Sequence, residues 1–244
     1  MTNKPPFAVI LLVIFVCSGL GILNVLLGVQ QPETLDPPTP QLAPSTNDAL
    51  QSVLILGVDQ LRVATPTLRS IWIALFQPNG ETVYMHGVSL NESAPGVDPR
   101  SLAELFDWSN QEGLDPTFER ALFRILPLPP DMVVVLDEVA FTSLVNYVGG
   151  VELAGALLDG KSVLDFLSVA WLNPDLLLEN QAMIIKGILP RALGLAPSPE
   201  LTELIQLIPE HAYISLDVTD AVGLISPLRK ITSENVFFIL LGPD

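Results

Sequence analysis

Ser52-Val53-Leu54-Ile55-Leu56-Gly57-Val58-Asp59 is a run of aliphatic residues ended by a glycine and a carboxylate. A run this short and continuous reads as a strand covered on both faces. Ile71-Trp72-Ile73-Ala74-Leu75-Phe76 repeats the pattern and runs into Gln77-Pro78-Asn79-Gly80, whose composition is that of a turn. A third strand is predicted from Thr82 to Val88. In α/β proteins ligands gather beyond the ends of such strands, so Gln51–Asn91 is the first place to look for a site.

Working outward, strands alternate with helices. Ser101–Trp108 is predicted as a short helix capped by Ser101, and Asp115-Pro116 opens another that runs to Leu126. Met132–Leu136 reads as a buried strand, and Asp137-Glu138 begins a helix over Val139–Val148 that Gly149-Gly150 stops. Val151–Leu153 is a short strand, Asp159-Gly160-Lys161 a turn, and Ser162–Trp171 a helix. Asn173-Pro174-Asp175 starts a helix carrying Leu177–Leu189, followed by a helix at Glu200–Ile208 and a strand at Tyr213–Leu216. Thr219 caps a helix at Asp220–Lys230, and Asn235–Leu241 is the last strand. This order predicts a three-layer α/β/α sandwich with a central mixed sheet.

The formal net charge of -16, with only 11 Lys plus Arg, argues against nucleic acid, whose binding needs clustered cations. It argues equally against an anionic membrane surface. Phe7–Val29 is free of charge for about 23 residues, which at about 1.5 Å each spans a bilayer core of about 30 Å. The run is too long for the apolar part of a cleaved signal, and no small-x-small site follows it. The expected organisation is a cytoplasmic tail at 1–6, a transmembrane helix at 7–29, a proline-rich linker at 30–50 and an extracytoplasmic domain at 51–244. Lys4 before the anchor, against Glu33, Asp36 and Asp48 after it, sets that orientation. The single cysteine, Cys17, lies inside the apolar run, so no disulfide within the chain can form.

Several segments, taken in order, resemble the extracytoplasmic domain of the LytR-CpsA-Psr family of cell-envelope proteins. The opening "LLLGVD" of that family resembles Ile55-Leu56-Gly57-Val58-Asp59, and its strand ending in Asp-Pro resembles Trp72–Pro78, with Gln77 in place of Asp. Its "GF..LVD.LGGV.V" resembles Ala140-Phe141, Leu144-Val145-Asn146 and Val148-Gly149-Gly150-Val151. Its "LDGEQAL.Y" resembles Leu158–Phe166, and its closing helix and strand resemble Leu216–Gly242. The resemblance implies the transfer of polyprenyl-pyrophosphate-linked glycopolymers onto peptidoglycan or another envelope acceptor. It also implies an apolar pocket for the lipid, with arginines and an aspartate-bound Mg²⁺ for the pyrophosphate.

Carried over residue by residue, that charged set is mostly missing. The family's Arg-Ser-Asp falls on Thr67, Leu68 and Arg69, and its Pro-Arg-Asp on Ser89, Leu90 and Asn91. Two further arginines fall on Ser168 and Ala170, and its Glu-Arg-Gln-Gln resembles Glu179-Asn180-Gln181-Ala182. Asp59 matches as a metal candidate and Gln181 as a ligand-binding candidate. Arg69 and Arg62 are shifted candidates for the catalytic cations; a slip of two residues puts Arg69 on the family's arginine and Ile71 on its aspartate. The expectation is a pseudoenzyme that binds lipid or a partner, with Mg²⁺ entering only if the chain is active. The alternatives are an active phosphotransferase with relocated arginines and a purely structural envelope domain. Expected partners are the membrane, a polyprenyl lipid, and an envelope polymer or protein.

Other candidates read as structural. His86 and His211 have no nucleophile suggested beside them. The carboxylate pairs Asp137-Glu138 and Glu200/Glu203 stand at helix starts, where they complement the helix dipole. Trp171-Leu172 and Leu176-Leu177-Leu178 line either a lipid pocket or an ordinary core.

Overall fold

The computed structural model describes residues 50–78, 80–94, 96–109, 113–193 (Leu193 by its backbone alone), 210–216 and 231–241. The helices expected at Glu200–Ile208 and Asp220–Lys230, the linker except for Leu50, Cys17 and the anchor at 7–29 lie outside these residues. Among the described residues, no helix is long and apolar enough to cross a membrane.

The opening stretch forms the centre of the sheet. β1 (Gln51–Val58) pairs antiparallel with β2 (Leu68–Phe76), which pairs antiparallel with β3 (Val83–Val88). On its other side β1 runs parallel to β6 (Met132–Asp137), and β6 pairs antiparallel with β9 (Ala212–Ile214). The closing strand β10 (Val236–Leu241) runs parallel to β3 at the far edge. The sheet order is β10-β3-β2-β1-β6-β9, and the sheet is mixed, as expected.

Alternation assigns the two faces. Ile55, Gly57, Trp72 and Met85 face a cavity roofed by α3 (Glu138–Tyr147), α4 (Gly160–Ser168) and α5 (Pro174–Leu193). Leu54, Leu56, Ile71 and Ile73 point the other way. They share a buried cluster with Leu102 of α1 (Leu102–Leu105) and Phe118 and Leu122 of α2 (Pro116–Ile125). Each such side chain contributes about 1.5–3 kcal/mol by leaving water.

Local chemistry sets the helix starts. Ser101 and Glu104 form a reciprocal capping box on α1, and Asp115 accepts from Thr117 and Phe118 N–H ahead of Pro116. Gly149 and Gly150 take positive φ and end α3 as predicted.

Three expectations are corrected. The helix expected over Ser101–Trp108 stops at Leu105: Phe106 is extended, and Trp108 enters β4 (Trp108–Ser109), paired with β5 (Gly113–Leu114). The Trp108 ring is buried edge-on against Tyr213 with centroids 4.8 Å apart, and that packing overrides helix continuation. Asp159-Gly160-Lys161 is not a free turn but the start of α4, with Asp159 accepting from Ser162 N–H at 2.8 Å. The pair β7 (Val151–Leu153) and β8 (Ala156–Leu158) includes a strand the sequence did not signal. Its turn uses Ala154 and Gly155 at φ 50 and 81, and Ala154 is an unusual residue for a left-handed position.

Candidate functional site

β1 and β6 lie side by side in parallel, so both carboxyl ends open on one edge, with Val58 opposite Asp137. Asp59 follows β1 and Glu138 follows β6. The site builds there because parallel strands end in the crevice where helices begin.

A β-bulge supplies the cation. Gly57 pairs with Ser70 but Val58 pairs with Leu68, which leaves Arg69 as the extra residue of β2. A bulge re-aims its side chain, and Arg69 lines the cavity. Its guanidinium lies 4.0 Å from Asp59 Oδ2 and 3.8 Å from Glu138 Oε1, with its Cζ 4.1 Å from the centroid of the Trp171 ring. Arg69 Nε and Glu138 Oε1 are buried and have no hydrogen-bond partner within the protein. Separation beyond 3.5 Å makes this an ion pair without a hydrogen bond.

The carboxylates differ in environment. Burial pulls the Asp59 carboxyl upward, but N–H groups of Thr67 (2.8 Å) and Gln60 (2.7 Å) and the nearby Arg69 charge outweigh it and hold it below the ordinary range. Burial pushes Glu138 upward, and the neighbouring Asp59 and Asp137 add to that against the opposing pull of Arg69. Asp137 is fully engaged. Its Oδ1 accepts from Val139 and Ala140 N–H at 3.0 Å each, capping α3, and its Oδ2 lies 2.7 Å from His211 Nδ1.

Behind this mouth the cavity is almost wholly apolar. It is lined by Ile55, Trp72 and Met85 from the sheet and by Phe141, Leu167, Ile184 and Ile188 among the helical residues. Its volume is about 130 Å³. On the scale where one water needs about 10–15 Å³, that holds on the order of ten water-sized groups.

The sequence candidates fare differently. Arg69 and Asp59 stand together at the mouth. Gln181 lines the cavity, but both ends of its amide are used: Oε1 accepts from Trp72 Nε1 at 3.1 Å, and Nε2 donates to the Arg69 carbonyl at 2.8 Å. Gln181 therefore ties α5 to the bulge that positions Arg69. Arg62 sits exposed on the β1–β2 loop, away from the cavity lining. Trp171 and Leu177 line the cavity, whereas Leu172 is fully exposed and Leu176 is partly so. Sequence reading missed Glu138 as a partner of Arg69 and missed the Asp137–His211 pair. The first lies 69 positions from Arg69 and the second spans 74, so only the fold brings them together. Among the described residues, no three of His, Cys, Asp and Glu group to hold a metal ion.

No known family's sequence profile matches the chain, and no curated protein matches it. Solved structures do match. TagV of B. subtilis is 14% identical, with 81% of this chain and 86% of that one covered at a TM-score of 0.61. TagT of B. subtilis is 19% identical, with 82% and 81% covered at a TM-score of 0.57. TagT bound to LI-WTA is 18% identical, with 78% of each chain covered at a TM-score of 0.56. At these identities the likeness is one of fold.

Proposed function

We propose that this chain, which has the fold of the LytR-CpsA-Psr domain, is a membrane-anchored envelope protein that holds the apolar tail of a polyprenyl carrier without transferring its polymer. In this reading Phe7–Val29 is the anchor, the amino terminus is cytoplasmic and residues 51–244 are extracytoplasmic. The observation that carries the proposal is the apolar cavity whose mouth holds, among the described residues, one arginine set between two carboxylates. Phosphoryl transfer is mostly charge neutralisation and positioning, and among the described residues one arginine beside Asp59 and Glu138 gives the mouth no surplus of positive charge. The part-exposed Arg69 guanidinium can donate to one phosphate oxygen. TagT bound to LI-WTA supports an envelope polymer as the headgroup's cargo.

The mouth does not fit Mg²⁺. Asp59 Oδ1 already accepts two N–H groups, and Oδ2 faces the Arg69 guanidinium. Mg²⁺ takes near-octahedral oxygen donors at about 2.0–2.1 Å. The second reading, an active phosphotransferase, rests on the bulge that brings Arg69 to the mouth; it needs further cations there.

The test uses the full chain in detergent with polyprenyl phosphate. Wild type is expected to retain the lipid. Arg69→Ala is expected to weaken phosphate-headed lipid about 10-fold, the scale of one charge-assisted hydrogen bond, and to leave neutral polyprenol binding unchanged. Failure of wild type to retain either lipid refutes the binding role. Transfer of labelled polymer to peptidoglycan in the same assay overturns the non-catalytic reading in favour of the second.

A further inference from the structure

The turn between α4 and α5 carries the most exposed apolar side chains among the described residues. Leu172 is fully exposed and Val169 is 84% exposed. This is not a frayed loop. Trp171 N–H donates to the Ser168 carbonyl at 3.2 Å, Asn173 N–H to the Ala170 carbonyl at 2.8 Å, and Leu176 N–H to Asn173 Oδ1 at 3.2 Å. The backbone is fixed with its leucines pointing to solvent. Two neighbouring exposed aliphatic side chains on an ordered turn make a candidate contact surface.

We infer that this turn inserts into the interfacial layer of a lipid bilayer and presents the cavity mouth to the membrane. Two observations select the bilayer and a third permits it. First, the turn is continuous with the mouth: Leu167 and Trp171 line the cavity while Val169 and Leu172 point outward, and Trp171 stacks on Arg69. Tryptophan at the boundary between an apolar surface and a polar one suits a membrane interface. Second, residues 166–174 carry no charge in a chain of net charge -16, so entry into a bilayer desolvates no ion. Third, the chain outside the described residues supplies the apolar run Phe7–Val29 and enters the fold at β1, whose start lies at the opposite end of the sheet from Asp59. The linker 30–50, extended at about 3.1 Å per residue, reaches about 60 Å. β1 spans about 26 Å. The tether therefore allows the mouth end to meet the bilayer. The inference rests on the lipid-binding reading and deepens it by saying how lipid reaches the cavity.

The test uses the full chain with Cys17→Ser, reconstituted in phosphatidylcholine nanodiscs containing lipid nitroxides. An environment-sensitive dye is placed at Leu172→Cys or, as control, at Glu81→Cys beside the β2–β3 turn at the far end of the sheet. The dye at 172 is expected to be quenched several-fold more than at 81, unchanged between 0.05 and 0.5 M salt (roughly a threefold change in screening length). Equal quenching at the two sites overturns the inference. A Val169→Ser/Leu172→Ser variant is expected to take up polyprenyl phosphate from vesicles several-fold more slowly than wild type, with detergent-delivered lipid bound equally. Uptake at the wild-type rate also overturns the inference. If wild type binds no lipid in detergent, the cavity reading fails while the quenching result still decides where the tip lies.

Discussion

Arg69 and Gln181 show how one residue conditions another at this site. Gln181 bridges Trp72 Nε1 and the Arg69 carbonyl, so its amide fixes the bulge from which the guanidinium projects. Gln181→Leu roughly keeps the volume and removes both hydrogen bonds, leaving Trp72 Nε1 and the Arg69 carbonyl without them. It is expected to cost about 1–3 kcal/mol, the penalty for polar groups left buried and unsatisfied, read as a lower urea midpoint. The two mouth carboxylates have opposite pH signatures. Asp59 is held below its ordinary value, so its contribution is present above about pH 4 and is lost as pH falls through its folded value. Glu138 is raised, so the stability carried by its protonated form is full below its unfolded value and is lost as pH rises through its folded value. Asp59→Asn is therefore expected to flatten the acid limb of the melting curve against pH. Glu138→Gln is expected to raise the melting temperature at pH 7, with the gain vanishing in acid. Thermal melts from pH 3 to 7 check both signs.

Elements in this chain were legible where local chemistry and packing agree. β1, β2 and β6 are continuous apolar runs and appear as central strands; α2 and α3 begin at the predicted aspartates. Reading failed where a distant partner decides. Trp108 leaves the expected helix to pack on Tyr213, and β8 exists only because β7 pairs with it. The β7–β8 turn has Ala154 at φ 50, a conformation that costs a side-chain-bearing residue roughly 1 kcal/mol. Ala154→Gly is expected to stabilise the protein by about 0.5–1 kcal/mol, measured by chemical denaturation. An unchanged or lower midpoint contradicts the strain argument. Close packing between the helices that roof the cavity has the opposite sensitivity. A Cβ on Gly160 would meet the Thr142 backbone, so glycine there sets the distance between α3 and α4.

At the scale of the whole molecule, acidity and the apolar cavity act in different places. The net charge of -16 raises self-repulsion in the folded state. Raising salt from 0.02 to 0.3 M, which shortens the screening length severalfold, is expected to raise the melting temperature. A flat response would mean that the carboxylates are already offset locally. The apolar cavity is insensitive to that screening, and so is the proposed bilayer contact through Val169 and Leu172. Salt thus separates overall charge from the apolar contacts in one set of measurements.

The sequence by itself determined the alternation of strands and helices, the mixed central sheet and the resemblance to LytR-CpsA-Psr domains. These depend on hydrophobic period, caps and turn residues, which act over a few positions. It also singled out Asp59, Arg69 and Gln181 as candidates, since each stands in or beside a recognisable segment. Only the tertiary structure decided what these residues do together. The bulge that turns Arg69 to the cavity, the Glu138 carboxylate beside it, the Gln181 bridge and the Asp137–His211 pair all join positions far apart in the chain. Their geometry follows from strand register and helix packing, which no local pattern encodes.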